Sequence, residues 1–485
     1  MRTGVTTLST PPLAGGRLRT LPHEGRRTVR FRLAAFLLQV LFCILPATAL
    51  LAAGRASLAG YYFWVMLGFM IAWKMLAGRR DEVLCLLLAS APFINLLRSF
   101  AFYNVIVALF GACLLYYMML ASGPFFATLR KHKLVVILFL FVGVYYLMSF
   151  WNTGQYSANL RMFEMVFTVM VVLILNRNPV LLGAALTGLI VSAWCVGIGM
   201  IPQLGSGARL GMVALEGQTL GNPTQLGVPL ALAFVALVAD QGKWLNLQHR
   251  PGVRLVMILV TMPLLALTTS RASWLIAAFG LLSCLVAGSR QRLKALLVVV
   301  LAAVAIQGVL LSPLGTSLKK GIERTFDDKR SVRQRTSGRS DQWRVAWYAV
   351  TREVTPMLFG YGPGRSPAVY AEYSGNVPGV KYAVGKKVAF HSLFMQIGVE
   401  TGLIGLLILA VWLGAAMTKA VIALPARRTL LPCIGVGSFF LIIVTVSGSD
   451  INSGVFLGIG LAGATVAVPK PAQPLPARRR AFRKM

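Results

Sequence analysis

The stretch RLVMILVTMPLLALTTSRASWLIAAFGLLSCLVAG, Arg254 to Gly288, decides the fold. Two apolar runs stand back to back, and the only charge between Leu255 and Gly288 is Arg271 at their junction. A helix satisfies its backbone N–H and C=O groups internally, so runs of this length read as membrane-crossing helices. The same texture fills the chain: of 485 residues 57% are hydrophobic and 13% charged, with a mean hydropathy of +0.72. That composition excludes an ordinary soluble globular domain.

Working outward, about fourteen apolar runs of about 15–25 residues read as helices. They lie near 32–53, 60–77, 83–98, 101–121, 134–150, 162–175, 179–201, 224–239, 254–269, 272–288, 294–311, 391–417, 430–447 and 452–468. The sequence predicts an all-α fold, a polytopic membrane helical bundle of about 12–14 transmembrane helices with one large extracytoplasmic loop. Its predicted divisions are a basic cytoplasmic arm (1–31), a transmembrane region (32–311), the loop (312–390), C-terminal transmembrane helices (391–468) and a basic, Pro-rich tail (469–485). Ala47-Thr48-Ala49 resembles a signal-peptide cleavage site, but the long basic arm and the span-length run from Phe31 to Ala53 favour an uncleaved signal anchor.

Basic residues outnumber acidic ones by 48 to 14, for a net charge of +34. They sit in short clusters between apolar runs, which suits a topology signal and anionic headgroups and argues against nucleic acid as a partner. With the N-terminus in the cytoplasm, the clusters at Arg26-Arg27, Arg79-Arg80, Arg130-Lys131, Arg177, Lys243 with Arg250, Arg290-Arg292, Arg427-Arg428 and Arg478-Arg479-Arg480 all fall on the cytoplasmic side. Both termini are then cytoplasmic, and the loop 312–390 faces outward. Cys43, Cys85, Cys113, Cys195, Cys284 and Cys433 each lie inside an apolar run and read as small buried residues.

A link as long as 312–390 is functional or disordered rather than a turn. It holds a helical pattern, Trp343, Ala346, Trp347 and Val350, with Ser340 as the expected cap. As a surface helix, it would set its tryptophans at the headgroups.

Candidate chemistry is sparse. His23, His132 and His249 lie in cytoplasmic basic segments and read as solvated. His391 alone faces outward, at the junction of the loop and the next span; such a histidine is either an interfacial residue or a base working near neutral pH. Arg271 is costly so near the apolar zone unless it snorkels or faces a polar cavity, where its planar fork would suit a phosphate. Arg209, in the Gly-rich link from Gly205 to Gly221, is a second candidate for that role. Outward-facing acids are scattered, and Asp327-Asp328 stands among Arg and Lys as a salt-bridged turn. No His/Cys/Asp grouping has metal-ligand spacing and no nucleotide-type Gly loop is present, so a reaction without metal, cofactor or ATP is expected.

These residues resemble the O-antigen ligase and O-antigen polymerase superfamily of bacterial membrane proteins. Ser337-Gly338-Arg339, Trp343, Pro356 and the run Gly360, Gly362, Gly364 are similar to that family's loop pattern. His391-Ser392-Leu393 with Glu400-Thr401-Gly402 and Gly405 resembles its His-Asn…Glu-x-Gly block, with Ser392 where Asn is more usual. Ser270-Arg271-Ala272-Ser273-Trp274 is similar to its Ser-Arg-x-x-Trp motif, and Gly221-Asn222-Pro223 to its Asn-Pro turn. The resemblance covers about half the chain, since the first five spans match only in hydropathy.

It implies a membrane-embedded, GT-C-type inverting glycosyltransferase, metal-independent and without cofactor, in the bacterial inner membrane. The donor would be a glycan on undecaprenyl pyrophosphate. His391 would be the catalytic base, Arg271 and Arg209 would hold the pyrophosphate, and Arg339 and Glu400 would support them. A polymerase joining lipid-linked repeats into a surface polysaccharide, with a chain-length regulator as candidate partner, is favoured over a ligase acting on a lipid or protein acceptor. A transporter of lipid-linked sugars is a reading of another class, disfavoured because no repeat halves and no midplane charge path are visible.

Overall fold

The structure, a computed structural model, describes residues 23–97, 103–133, 136–137, 140–141, 156–206, 210–211, 213–215, 218–220, 223–239, 251–286, 297, 300–301, 303–304, 306–312, 315–326, 338–388, 390, 392–427 and 458. It is a helical polytopic membrane protein. The helices are α1 (His23–Ala52), α2 (Ala56–Leu76), α3 (Arg80–Leu97), α4 (Tyr103–Leu120), α5 (Ser122–Lys131), α6 (Tyr156–Leu175), α7 (Pro179–Met200), α8 (Pro223–Ala239), α9 (Pro251–Leu267) and α10 (Arg271–Val286). Then come α11 (Gly315–Phe326), α12 (Arg339–Thr351), α13 (Val354–Phe359), α14 (Ser366–Tyr373) and α15 (Leu393–Arg427). A small antiparallel hairpin, β1 (Val213–Leu215) with β2 (Gln218–Leu220), pairs Val213 with Leu220.

Among the described residues, four helices are long and apolar enough to cross a membrane: Ala34–Ala52, Ala56–Leu76, Val180–Leu204 and Leu393–Ala415. Phe163–Leu175, Pro223–Ala239, Gly252–Leu267 and Arg271–Cys284 are shorter apolar helices. The helix expected over 101–121 is α4, after which the chain bends by 108° into α5, with Ala121 non-helical (φ −147°, ψ 46°) between the two. The runs expected near 134–150, 430–447 and 452–468 lie wholly or largely outside the described residues, and the described part of the run near 294–311 is helical.

Local chemistry sets the ends. After α1, Gly54 takes φ +73° while the Gly54 and Arg55 amides donate to Leu51 and Leu50; Gly78 (φ +67°) and Arg79 repeat the arrangement on Met75 and Lys74. Both are glycine C-caps that recover orphan carbonyls and turn the chain at once into the next helix. Asn178 caps α7, its Oδ1 accepting from the Val180 amide at 3.1 Å, with Pro179 at the first helical position.

At the centre of the bundle α3 is buried at every position from Val83 to Leu97 and packs on α1, α2, α4, α6, α7 and α8. Glycine lets α7 come close: a Cβ on Gly188 would stand 2.6 Å from the Ala89 Cβ, and one on Gly199 2.9 Å from the Thr48 carbonyl oxygen. Small residues at such crossings trade side-chain volume for backbone approach, the usual source of helix association in lipid. Lys74 is fully buried between α1 and α3, where its Nζ donates to Gln39 Oε1 at 2.7 Å and to Glu82 Oε2 at 2.6 Å.

The region 338–390 has a second, smaller core of Val345, Ala346, Ala349, Val369, Tyr370, Val377 and Phe390, which also takes in Val399 of α15. The expected cap at Ser340 is corrected: α12 is capped two residues earlier, by Gly338 in the left-handed region, and Ser340 lies within the helix. A left-handed glycine needs no side-chain oxygen to redirect the chain, so the hydroxyl is not required there. Trp343 and Trp347 are exposed on one face of α12. His132 is also corrected, since it is buried at the end of α5 rather than solvated. Cys43, Cys85, Cys113 and Cys284 are buried and Cys195 half-buried; Cys433, His249 and Asp327-Asp328 lie outside the described residues.

Candidate functional site

Arg271 is the first residue of α10, and the turn before it is built from hydroxyls. The Thr268 Oγ1 donates to the Leu265 carbonyl and accepts from the Ser270 amide at 3.3 Å. Ser273 Oγ donates to Ser270 Oγ at 2.9 Å, and Ser270 Oγ to Thr224 Oγ1 at 3.3 Å, tying the start of α10 to the start of α8. Trp274 Nε1 reaches back to the Leu265 carbonyl at 3.2 Å and closes the α9–α10 elbow. Thr269 holds φ +50°, unusual for a β-branched residue and affordable only where neighbours fix it. The Ser-Arg-x-x-Trp motif therefore makes a rigid elbow with Arg271 half-buried at a helix N-terminus, where amides and guanidinium favour the same anion.

Arg339 opens α12, also half-buried, and the fold brings it within electrostatic reach of Arg271. Burial first, and the Arg271 charge second, hold Arg339 below the usual arginine range. A guanidinium stays charged regardless, so the natural occupant between two of them is an anion with oxygens for both forks.

Glu400 is fully buried on α15. Ser366 Oγ donates to its Oε1 at 2.6 Å, Gln396 Nε2 lies 3.4 Å from the same oxygen, and the Gly364 and Ser366 amides also hydrogen-bond the carboxyl group. This carboxyl ties α14 to α15 and is not open to substrate. Two residues on, α15 breaks: Gly402 has φ +65° and ψ −162°. The carbonyls freed by the break are taken by the loop, Val399 accepting from the Tyr361 amide at 2.8 Å and Glu400 from the Gly362 amide at 3.0 Å. The approach is backbone on backbone. A Cβ on Gly360 would stand 2.4 Å from the Glu400 carbonyl carbon, and one on Gly402 2.4 Å from that of Leu358. The Gly-x-Gly run and the Glu-x-Gly block are thus two halves of one joint.

His391 and Arg209 lie outside the described residues, as do Gly221 and Asn222. The flanks of His391 are described. Phe390 is buried edge-on against Tyr370 at 5.9 Å between centroids, and Ser392 begins α15, its carbonyl accepting from Gln396 at 2.9 Å and its Oγ lying 3.5 Å from the Met395 amide. Capping is work that serine and asparagine do about equally, which accounts for Ser392 at the position of the more usual Asn.

Of the expected residues, then, Arg271 and Arg339 lie within electrostatic reach of one another, while Glu400 is a buried tie between α14 and α15. Ser366, Gln396 and Thr224 were not anticipated; Ser366, two residues past the last glycine of the run, carried the available signal. Among the described residues, no three His, Cys, Asp or Glu side chains gather as metal ligands would.

Residues 255–410 match the O-antigen ligase family. The matched segment runs from α9 into α15 and includes Arg271, Arg339, His391 and Glu400, so the resemblance carried by those motifs holds there, while Arg209 falls outside it. No curated protein matches the chain.

Proposed function

We propose that the protein transfers a glycan from undecaprenyl pyrophosphate to an acceptor hydroxyl at the outer face of the bacterial inner membrane, and that it is a polymerase of surface-polysaccharide repeats. The observation that carries this reading is the match of residues 255–410 to the O-antigen ligase family, a segment in which Arg271 and Arg339 each open a helix within electrostatic reach of one another. His391 takes the proton of the acceptor hydroxyl, whose oxygen attacks the anomeric carbon with inversion. The bond from that carbon to the phosphate oxygen breaks, and the departing pyrophosphate takes the electron pair and the negative charge. Arg271 and Arg339, with Arg209, stabilise that charge where it develops. No metal takes part in this scheme, so activity is expected to persist in excess chelator. The positive clusters support cytoplasmic termini and an outward loop. The family's description favours a second reading, a ligase that moves the finished glycan to a lipid or protein.

One experiment tests both. His391→Ala should insert and fold normally, yet cut glycan formation by roughly 10²–10⁴-fold, the usual contribution of a general base. Short lipid-linked repeats accumulate if the protein is a polymerase, and intact lipid-linked polymer if it is a ligase. Near-normal product from His391→Ala removes the mechanism.

A further inference from the structure

The turn between α4 and α5 has no part in the transfer reaction. After Leu120 and Ala121 the chain swings by 108° into α5. A helix at that angle to a membrane-crossing one runs close to the membrane plane. Three contacts place this turn at one end of the bundle. The Arg80 guanidinium donates to the Leu120 carbonyl at 2.6 Å, the Tyr116 hydroxyl to the Met75 carbonyl at 2.6 Å, and Arg177 hydrogen-bonds Tyr117. The ends of α2, α4 and α6 and the start of α3 therefore meet here, and α5 packs back on α6.

The two faces of α5 differ. Phe125, Thr128 and Leu129 turn inward, Phe125 and Leu129 packing on the bundle core, and His132 just past the helix is buried. Phe126, 49% exposed, faces outward with Ala127, Arg130 and Lys131. Residues four apart share a helix face, so Phe126 stands one turn before Arg130. Lys133 is exposed where the next helix begins. On α4 the exposed row Leu115 and Met119, the latter 74% exposed, leads down to the bend.

The cations at this end fall into two groups. Arg80 is engaged by the α4 carbonyl and lies 6.0 Å from the Tyr117 ring centre, and Arg177 is engaged by Tyr117. Arg79 lies 3.8 Å from Glu82, which Lys74 holds at 2.6 Å. Arg130, Lys131 and Lys133 have no side-chain partner among the described residues. A pure topology signal needs only charge, and a hydrated linker supplies it. Here an exposed phenylalanine shares the face of the unpaired cations, a combination that suits the boundary between acyl chains and headgroups.

We propose that α5 is an in-plane anchor that binds anionic phospholipid of the adjoining leaflet, with Phe126 among the acyl chains and Arg130, Lys131 and Lys133 on the headgroup. A zwitterionic lipid brings the same phosphate with its own cation, so three unpaired cations select a headgroup of net negative charge. The bound lipid holds α5 flat and braces the α4–α6 end of the bundle. This site stands whichever reaction runs at the loop.

The test uses the full-length protein in phosphatidylcholine nanodiscs containing a trace of phosphatidylglycerol with a diazirine near the top of one acyl chain. Phosphatidylglycerol should label α5 about tenfold more than the matching phosphatidylcholine probe at the same trace level. Arg130→Gln with Lys131→Gln and Lys133→Gln should remove most of that preference, while Lys381→Gln with Lys386→Gln and Lys387→Gln on the loop should leave it intact. Salt at about 1 M, where the screening length is about 3 Å, should lower the preference of the unaltered protein, a readout that needs no substitution. Equal labelling by the two probes overturns the proposal, as does labelling confined to other helices. A preference unmoved by salt, or lowered as much by the loop variant as by the α5 variant, overturns it as well.

Discussion

The bundle around α3 and the region 338–390 each have a core, but different physics closes them. The first is closed by apolar surface alone over most of its area, with glycine used to bring α7 against α1 and α3. The second is closed by polar ties. Asp341 Oδ2 accepts from the Lys381 and Tyr382 amides at 3.1 and 3.2 Å, Ser374 Oγ accepts from the Gly385 amide at 2.9 Å, and Tyr370 donates to the Tyr382 carbonyl. A bundle in lipid has no water to exclude, so its helices need only fit. A short segment at the boundary buries too little to fold by area, and directed hydrogen bonds must specify it.

The comparison breaks first at the joint between the two. Gly360→Ala adds a Cβ against backbone at a left-handed position, and should cost about 2–5 kcal/mol of loop docking. Limited proteolysis should then cut within 338–390 while thermal unfolding of the bundle moves little; a resistant loop would mean that the joint is not what holds it. Arg271→Lys keeps the charge but loses the planar fork, and should lower glycan formation per folded protein by roughly 10–10²-fold without a stability change. Full activity would leave Arg271 a snorkelling residue.

On the bundle side the effects should reverse. Lys74→Met leaves Glu82 without its buried partner, yet Glu82 is 31% exposed and can rehydrate, so about 1–2 kcal/mol of stability is expected to go. Glycan formed per folded molecule should be unchanged, and a loss of activity at full stability would erase the distinction between the regions. Smallest is Tyr370→Phe, about 1 kcal/mol for one hydrogen bond in the loop core. Burial, then Asp341 and Tyr382, push the Tyr370 phenol up to about 12, against about 10 for tyrosine in an unfolded chain. The folded state therefore holds this proton more tightly. Its contribution is complete below pH about 10 and is lost as pH rises toward 12, so Tyr370→Phe should flatten alkaline unfolding followed by loop proteolysis.

What the sequence disclosed follows the same division. Hydropathy located α2, α7, α8, α9 and α10 to within a few residues, because crossing lipid demands apolar length. It did not separate α3, buried on every side, from α2, which shows Val65, Phe69 and Trp73 to its surroundings. Hydrocarbon and protein interior are equally apolar, so composition alone cannot say which a helix faces. The burial of Lys74 and His132 was hidden for a related reason, since a basic side chain near a helix end reads as reaching water whether or not it is buried in the fold. In the loop, the glycines, Glu400 and the arginines stood out as motifs, but their pairings did not. Gly360 approaches the backbone of Glu400 and Gly402 that of Leu358, and Arg271 comes within electrostatic reach of Arg339, only through the folded path of the chain.

The joint at Gly402 also fixes an order in time. Tyr361 and Gly362 leave the ribosome well before Val399 and Glu400, the residues whose carbonyls they will bind. Until α15 has been synthesised and inserted, those two amides and the Ser366 hydroxyl have no partners, and the region 338–390 lacks the floor that Val399 adds to its core. A nascent chain stopped before α15 should therefore carry an immature loop that proteases digest, and the same loop should become resistant once synthesis passes Gly402. The loop core beside α12 is thereby completed only in chains that have inserted α15, and half-made molecules do not acquire a finished loop.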